Sequence, residues 1–579
     1  MKEKNIFDIL GRLNLVQEQA IEVFYLLKAW KILSSIEITD DTLKYNTFFT
    51  QKVEPKKLLK IFEELAKKHN VFKFYLNQHS NILKVDSDVL VAIYNAVEDD
   101  SSYMSVNNAF YTQKGLRDFS VSNQIAELGI KLLNNENDSI YIPFSNGFAY
   151  AYETDKKIFA ECQNPKNAFI SELVRIIDKR DIEFALNNPL ENPAYINPDA
   201  PHLLKQFESV LSFPPFGLRS KPDFSNDKFN RFKIHRGTNL DVAHFEHILA
   251  QCKEKAVVLM PVGFTYRAGA EEKFREFLVE NNLLDAIVQL PPNLHSATSI
   301  ETTFFIINKH RNSDNVLFIN LKDEQFFKRD GRKIVFENID KIVDICKNRI
   351  EIDNISTLVL NKEIQDNNYS LAIDRYVVSQ EAKELQKLLS SYKTIELQEI
   401  AEIRRSQLFK DEGEGKEVYE LSPSDFSKAG FTKEGGKLKK IGSQFKKYET
   451  YKLQPYDVLV STKGTIGKVA IIDEISEPLI ASQASQVIRV KDKNTAIELY
   501  MFFKSNIGQA MLKQLVAGVA MPQIATSEIK KLQIPLLSEN EKKQLLLNFN
   551  NEIKLYNEVK TIKSKIVSIH QNYLRGNVS

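Results

Sequence analysis

Phe207-Glu208-Ser209-Val210-Leu211-Ser212-Phe213-Pro214-Pro215-Phe216-Gly217 decides the fold of this 579-residue chain. An apolar run ends in two prolines, which have no N–H and cannot continue a hydrogen-bonded ladder. A strand therefore stops here, and Phe216 stands at the mouth of the loop that follows. Downstream, Phe245 to Gln251 has helical spacing, and Ala256-Val257-Val258-Leu259-Met260-Pro261 reads as a buried strand that again ends at proline. Glu271 to Asn281 is a second helix, followed by the strand Leu284 to Leu290. Thr302 to Lys309 and Val316 to Asn320 are further strands, expected to pair with each other. Strands alternating with helices predict an α/β doubly wound sheet with crevices at the carboxyl ends of its strands.

Upstream the pattern is helical. Ile21, Phe24, Leu27 and Trp30 recur at helical spacing, as do Leu58, Ile61, Phe62 and Leu65. The three cysteines, Cys162, Cys252 and Cys346, lie far apart with no Cys-x-x-Cys pair, which predicts a reducing compartment and no metal site. The charged N-terminus does not read as a signal peptide, and no apolar run reaches the length of a membrane span, so a cytoplasmic location without membrane partners is expected. Net charge is only +2. From Lys393 onward, however, 29 Lys+Arg face 22 Asp+Glu, so a basic C-terminal third follows an acidic front and points to a polyanion partner.

The Phe213–Gly217 loop resembles the Asn-Pro-Pro-Phe/Tyr catalytic loop of DNA adenine-N6 methyltransferases, in particular the methyltransferase subunits of type I restriction-modification systems. In that family the Asn and the following Pro carbonyl accept hydrogen bonds from the target amino group, and the aromatic stacks on the flipped base. The resemblance makes Phe213, Pro214, Pro215 and Phe216 the catalytic loop, with Phe213 in the Asn position, where a phenyl ring accepts no amine proton. Phe110-Tyr111-Thr112 matches the family's Phe-Tyr-Thr-Pro element, which helps hold S-adenosylmethionine. Ile142-Pro143-Phe144-Ser145-Asn146-Gly147-Phe148 falls where the family has Asp-Pro-x-x-Gly-x-Gly. Pro143 survives, Gly147 is out of register, and Phe148 is expected to fill the space of the methionine moiety and block the site. Glu161 stands one position before the family's ribose-binding acid, and strand periodicity points it to the opposite face. The resemblance implies Phe110, Tyr111, Thr112, Pro143, Gly147 and Glu161 as a degenerate cofactor site, so no cofactor is expected, or S-adenosylmethionine if the site is active.

A second resemblance begins at Ile395-Glu396-Leu397-Gln398-Glu399-Ile400 and continues through Leu453-Gln454-Pro455-Tyr456-Asp457-Val458-Leu459 and Gly464-Thr465-Ile466-Gly467-Lys468. It is to the target-recognition domains of type I specificity subunits, which read base edges in the major groove. Lys433, Lys437, Lys439, Lys440, Lys446 and Lys447 sit among glycines and suit phosphate contact in a flexible loop. Lys463 and Lys468 flank Gly464 and Gly467 in what reads as a strand turn. At the end, Leu555, Val559, Ile562, Ile566, Ile569 and Tyr573 keep the a/d spacing of a coiled coil.

The expected organisation is a helical N-terminal domain (1–105), a methyltransferase-like Rossmann-type domain (106–345), a helical connector (346–392), an α+β DNA target-recognition domain (393–537) and a coiled-coil spacer helix (538–579). The expected function is sequence-specific binding of double-stranded DNA in bacterial defence, with a methyltransferase domain that no longer methylates. The alternative is an active adenine-N6 methyltransferase with its specificity domain fused on. Expected partners are DNA, a second copy or a related subunit through the C-terminal helix, and other restriction or defence subunits.

Overall fold

The structure is a computed structural model. It describes residues 17–571 except 52, 79–84, 98–101, 104–120, 135, 292–293, 295–299, 324, 331–332, 379, 433–435, 475–476 and 516–522. The chain forms two compact units, Met1–Ile373 and Asp374–Ser579.

The first unit is built on nine strands: β1 (Ser139–Pro143), β2 (Lys157–Cys162), β3 (Ile182–Leu186), β4 (Phe207–Ser212), β5 (Cys252–Pro261), β6 (Leu284–Gln289), β7 (Thr302–Asn308), β8 (Asn315–Asn320) and, after a small hairpin of β9 (Phe327–Asp330) and β10 (Lys333–Phe336), β11 (Ser356–Leu360). Their order across the sheet is β11-β8-β6-β7-β5-β4-β1-β2-β3. Strands β3, β2, β1, β4 and β5 are mutually parallel, and β7 is inserted antiparallel between β5 and β6.

That insertion corrects the expected pairing of the Thr302 and Val316 strands. β7 gives both its edges to β5 and β6, so β8 pairs with the far edge of β6. The segment 346–392, expected as a helical connector, also contains β11, which pairs antiparallel with β8. Its Thr357-Leu358-Val359 run packs as strand and covers the edge that β8 would leave exposed.

One face of the sheet shares a core with the N-terminal helices. Ile140, Ile142, Ile158 and Ala160 join a cluster that includes Phe24, Leu27, Trp30, Leu58 and Phe62. Trp30 anchors the helical part: its Nε1 donates to the Leu43 carbonyl at 2.9 Å, and its ring meets Tyr45 and Phe62 edge-on. On the other face, the helix Asp241–Gln251 is buried nearly all round, as a helix covered on every side must be.

In the second unit the helix Gln380–Ser390 precedes β12 (Thr394–Glu396), which pairs with β21 (Gln533–Pro535). Its main sheet has the order β13 (Glu402–Arg405), β20 (Ser485–Arg489), β17 (Val458–Ser461), β18 (Val469–Ile472), β15 (Phe431–Thr432). A three-stranded sheet, β16 (Lys437–Lys440), β14 (Glu417–Leu421) and β19 (Leu479–Ala481), lies beside it. The helix Glu539–Gln571 closes the described chain.

Candidate functional site

In the first unit, β2 and β3 follow β1 on one side while β4 and β5 lie on the other. The strand order therefore reverses between β1 and β4, and in an open α/β sheet a crevice forms at the carboxyl ends of such a pair. A cavity of about 780 Å³ lies there. Its walls come from the segments after β1 (Phe144, Ser145, Asn146), after β2 (Cys162, Asn164) and after β4 (Phe213 to Phe216), with Asn188 to Glu191 closing one side.

The loop after β4 is held from below. Gly217, at φ +63, donates its N–H to Asp241 Oδ1 at 2.9 Å, and Asp241 is buried at the start of its helix. Asn239 Nδ2 reaches the other carboxylate oxygen at 3.2 Å. Asp241 is a positioning residue that sequence reading missed; its signal is an Asn-Leu-Asp run at a helix start, where short acceptors satisfy free N–H groups. Pro143 caps β1, and its carbonyl accepts from Ser212 Oγ at 3.0 Å, which ties the two loops that form the crevice.

Phe213 lines the crevice floor, but its ring belongs to the core. It is 4% exposed, stacks at 6.5 Å from Tyr150 and meets Phe304 at 6.4 Å. Pro214 is buried, Pro215 exposed, and Phe216 half-buried at the mouth. Phe148 corrects the expectation of a blocked site. It does not line the crevice; it turns into the core against Tyr150 and Phe184. The cavity stays open because the chain bends at Phe144, φ +58, before Phe148 is reached. Gly147, at φ +78, approaches Asn167 Oδ1 at 3.5 Å and also stays out of the lining. Phe110, Tyr111 and Thr112 lie outside the described residues.

Glu161 points away from the crevice. Side chains alternate along β2, so Ile158, Ala160 and Cys162 face one way, and Phe159 and Glu161 the other. It is Cys162 that lines the cavity. Glu161 is fully buried beside Tyr141 and His247, and Arg231 stands beyond His247; this polar group is absent from the sequence reading because its members come from four distant segments.

In the second unit the lysines separate. Lys439 Nζ is buried against the Phe409 carbonyl at 2.7 Å and Glu420 at 2.8 Å. Lys440 pairs with Glu417 at 3.4 Å. The expected flexible loop is instead the strand β16 paired with β14, because the acids of β14 face the lysines across the ladder. Lys446 and Lys447 sit on the helix Phe445–Tyr451, where Lys447 donates to the Leu408 carbonyl and lies over the Phe409 ring. Lys437, Lys446 and Lys468 are exposed, and Lys463 is half-buried. Lys433 lies outside the described residues. Gly464 (φ +70) and Gly467 (φ +85) form the turn of the β17–β18 hairpin, as expected.

Residues 153–385 match the N-6 DNA Methylase family, and residues 390–562 match the type I restriction modification DNA specificity domain. The chain joins an N-6 DNA methylase region to a type I specificity region. The Type I restriction enzyme MpnII methylase subunit of Mycoplasma pneumoniae is 34% identical over 188 residues, covering 31% of this chain and 34% of that protein. The MjaVII methylase subunit of Methanocaldococcus jannaschii is 27% identical over 310 residues, covering 48% of this chain and 52% of the relative. The chain thus spans about a third to half the length of these curated relatives. The crystal structure of a type I restriction-modification methyltransferase subunit from Streptococcus thermophilus shares the fold with TM-score 0.54 at 16% identity, covering 65% of this chain and 99% of that one. The methylase domain therefore has the doubly wound methyltransferase fold, and among the described residues no helix is long and apolar enough to cross a membrane.

The family implies S-adenosylmethionine, which carries positive sulfonium and ammonium groups. Glu191 is the one carboxylate among the described residues lining the crevice, and it is exposed at the rim. The lining is otherwise amide, hydroxyl and apolar, with the Cys162 thiol, the His244 imidazole and the positive charge of Arg219. These residues do not fit a cationic cofactor.

Proposed function

We propose that the chain binds a specific sequence of double-stranded DNA through its specificity domain, as part of a restriction-modification-type defence against foreign DNA, and that its methylase domain transfers no methyl group. The observation that carries this reading is Phe213. The position that must accept a proton from the target amine is a ring packed between Tyr150 and Phe304, and a phenyl ring offers no lone pair in that plane. That no carboxylate among the described residues lining the crevice is buried supports it from the cofactor side. Partners in this reading are other restriction or defence subunits and a second copy or related subunit.

The pairing surface is the last helix. Leu555, Val559, Ile562 and Ile566 are 61%, 45%, 56% and 48% exposed, a stripe at a/d spacing with no cover in the described chain. The side chain of Ile569, and Tyr573, lie outside the described residues. A coiled coil with a second such helix would bury the stripe.

The second reading, an active adenine-N6 methyltransferase, is favoured by one observation: the crevice is open at about 780 Å³ beside Pro214, Pro215 and Phe216. Incubation with labelled S-adenosylmethionine and a library of duplexes separates the two. Duplex binding without label on adenine supports the first; labelled adenine in a recognised sequence supports the second.

A further inference from the structure

Behind the crevice wall, Tyr141 Oη stands at hydrogen-bond distance from three atoms: Gln251 Oε1 at 2.8 Å, Glu161 Oε1 at 3.1 Å and His247 Nε2 at 3.1 Å. Each partner's proton is fixed by what it touches on its other side. Gln251 Nε2 donates to the Tyr195 carbonyl at 3.0 Å and the Lys205 carbonyl at 3.2 Å, so the atom facing Tyr141 is an acceptor. Arg231 Nη1, always protonated, donates to His247 Nδ1 at 2.8 Å, which places the imidazole proton on Nε2. His247 therefore donates to Tyr141. The single phenolic proton then goes to Gln251, the shortest contact. One contact remains, between Tyr141 Oη and Glu161 Oε1, and the only proton that fills it belongs to Glu161. The other carboxyl oxygen accepts from Ala194 N–H at 2.8 Å.

Charge counting agrees. Arg231 is buried and satisfied by Asp227, with Nη2 to Oδ1 at 2.8 Å and Nε to Oδ1 at 3.0 Å. His247 is neutral, held well below its usual range by burial and by Arg231. The other titratable groups close by, Tyr141, Tyr195 and Cys162, are held protonated by burial. With Glu161 protonated the cluster is neutral; ionised, it holds one uncompensated negative charge away from water, which is costly. Burial pushes the Glu161 carboxyl up to about 7.

We propose that Glu161 is a neutral carboxylic acid that positions the crevice wall, and that loss of its proton releases that wall. The cluster clamps both ends of the segment: Arg231 donates to the Pro189 and Leu190 carbonyls at 2.7 Å each, and Glu161 holds Ala194. Asn188 to Glu191 between these anchors line the cavity. The inference is independent of whether the crevice takes a cofactor. Its pH sign is the reverse of a salt-bridged carboxylate. Between about 4.5, where the unfolded chain ionises, and about 7, the folded chain holds a proton that the unfolded chain lacks. Stability therefore falls as pH rises through that window and levels off above it.

The test compares the full chain with Glu161→Gln, whose amide donates to Tyr141 and accepts from Ala194 and so reproduces the protonated acid. The infrared carbonyl stretch of a protonated carboxyl is expected in wild type at pH 6, absent in Glu161→Gln at pH 6, and lost from wild type by pH 9. Hydrogen exchange of the amides of 188–196, other than Pro189 and Pro193, is expected to match in the two proteins at pH 6. At pH 8.5 wild type should exchange at least about tenfold faster, which corresponds to roughly 1.4 kcal/mol of opening free energy. The same carboxyl band in both proteins, equal exchange at pH 8.5, or failure of Glu161→Gln to fold would each overturn the proposal.

Discussion

Phe213 stands at the end of β4, where the resembled loop carries an amide side chain. The sequence told that an aromatic had replaced an amide at the end of β4, because two prolines and Phe216 fix the frame around it. It did not tell where the ring went, since that depends on Tyr150 and Phe304 arriving from other segments. A ring that is 4% exposed in a shared core should cost about 3–5 kcal/mol when cut back to alanine. Phe213→Ala is therefore expected to lower the urea midpoint of the first unit sharply, and Phe216→Ala, half-buried at the mouth, to shift it far less. Equal shifts would place Phe213 at the surface. The reading of Phe148 failed for a related reason. Motif register put it in the crevice, but the left-handed turn at Phe144 redirects the chain, and a non-glycine residue at positive φ leaves little trace in sequence. Glu161 was legible as facing away from the crevice from strand alternation alone, whereas the partners that fix its proton were not.

At the scale of elements, runs of β-branched and apolar residues located β4, β5, β6, β7 and β8, and helical spacing located the helices between them. Pairing was the part that stayed hidden, because a parallel or inserted strand is specified by packing across the sheet rather than by its own residues. The lysine-rich stretch shows the same limit. Composition suggested a loop, but Glu417 and Glu420 opposite Lys440 and Lys437 turn it into a ladder, with Lys439 buried. Its charges therefore divide into structural and exposed ones. Replacing Lys437, Lys446 and Lys468 together by alanine should leave the fold intact and reduce the log–log salt slope of duplex binding by up to about three units. Lys439→Ala should instead strand Glu420 and the Phe409 carbonyl and destabilise the second unit. An unchanged slope in the triple variant would remove this face from the DNA interface.

At the scale of the whole molecule, two family resemblances read from motifs correspond to the two matched regions, 153–385 and 390–562. The proposed assembly rests on the stripe from Leu555 to Ile566. Each fully buried Leu or Ile contributes roughly 1.5–3 kcal/mol, so several positions against a matching helix offset an association cost of roughly 4–15 kcal/mol. Ile562→Asp with Ile566→Asp should convert a dimer into a folded monomer in sedimentation; a wild type that sediments as a monomer at micromolar protein would contradict pairing. The central proposal, however, concerns the crevice: an open methyltransferase frame with Glu191 as the one carboxylate of its described lining and a phenyl ring, Phe213, where the resembled loop has its amide acceptor. Isothermal titration of S-adenosylmethionine into the 579-residue chain tests it most directly. The expected result is no binding heat up to millimolar cofactor, and a saturable signal with a micromolar Kd would contradict the account.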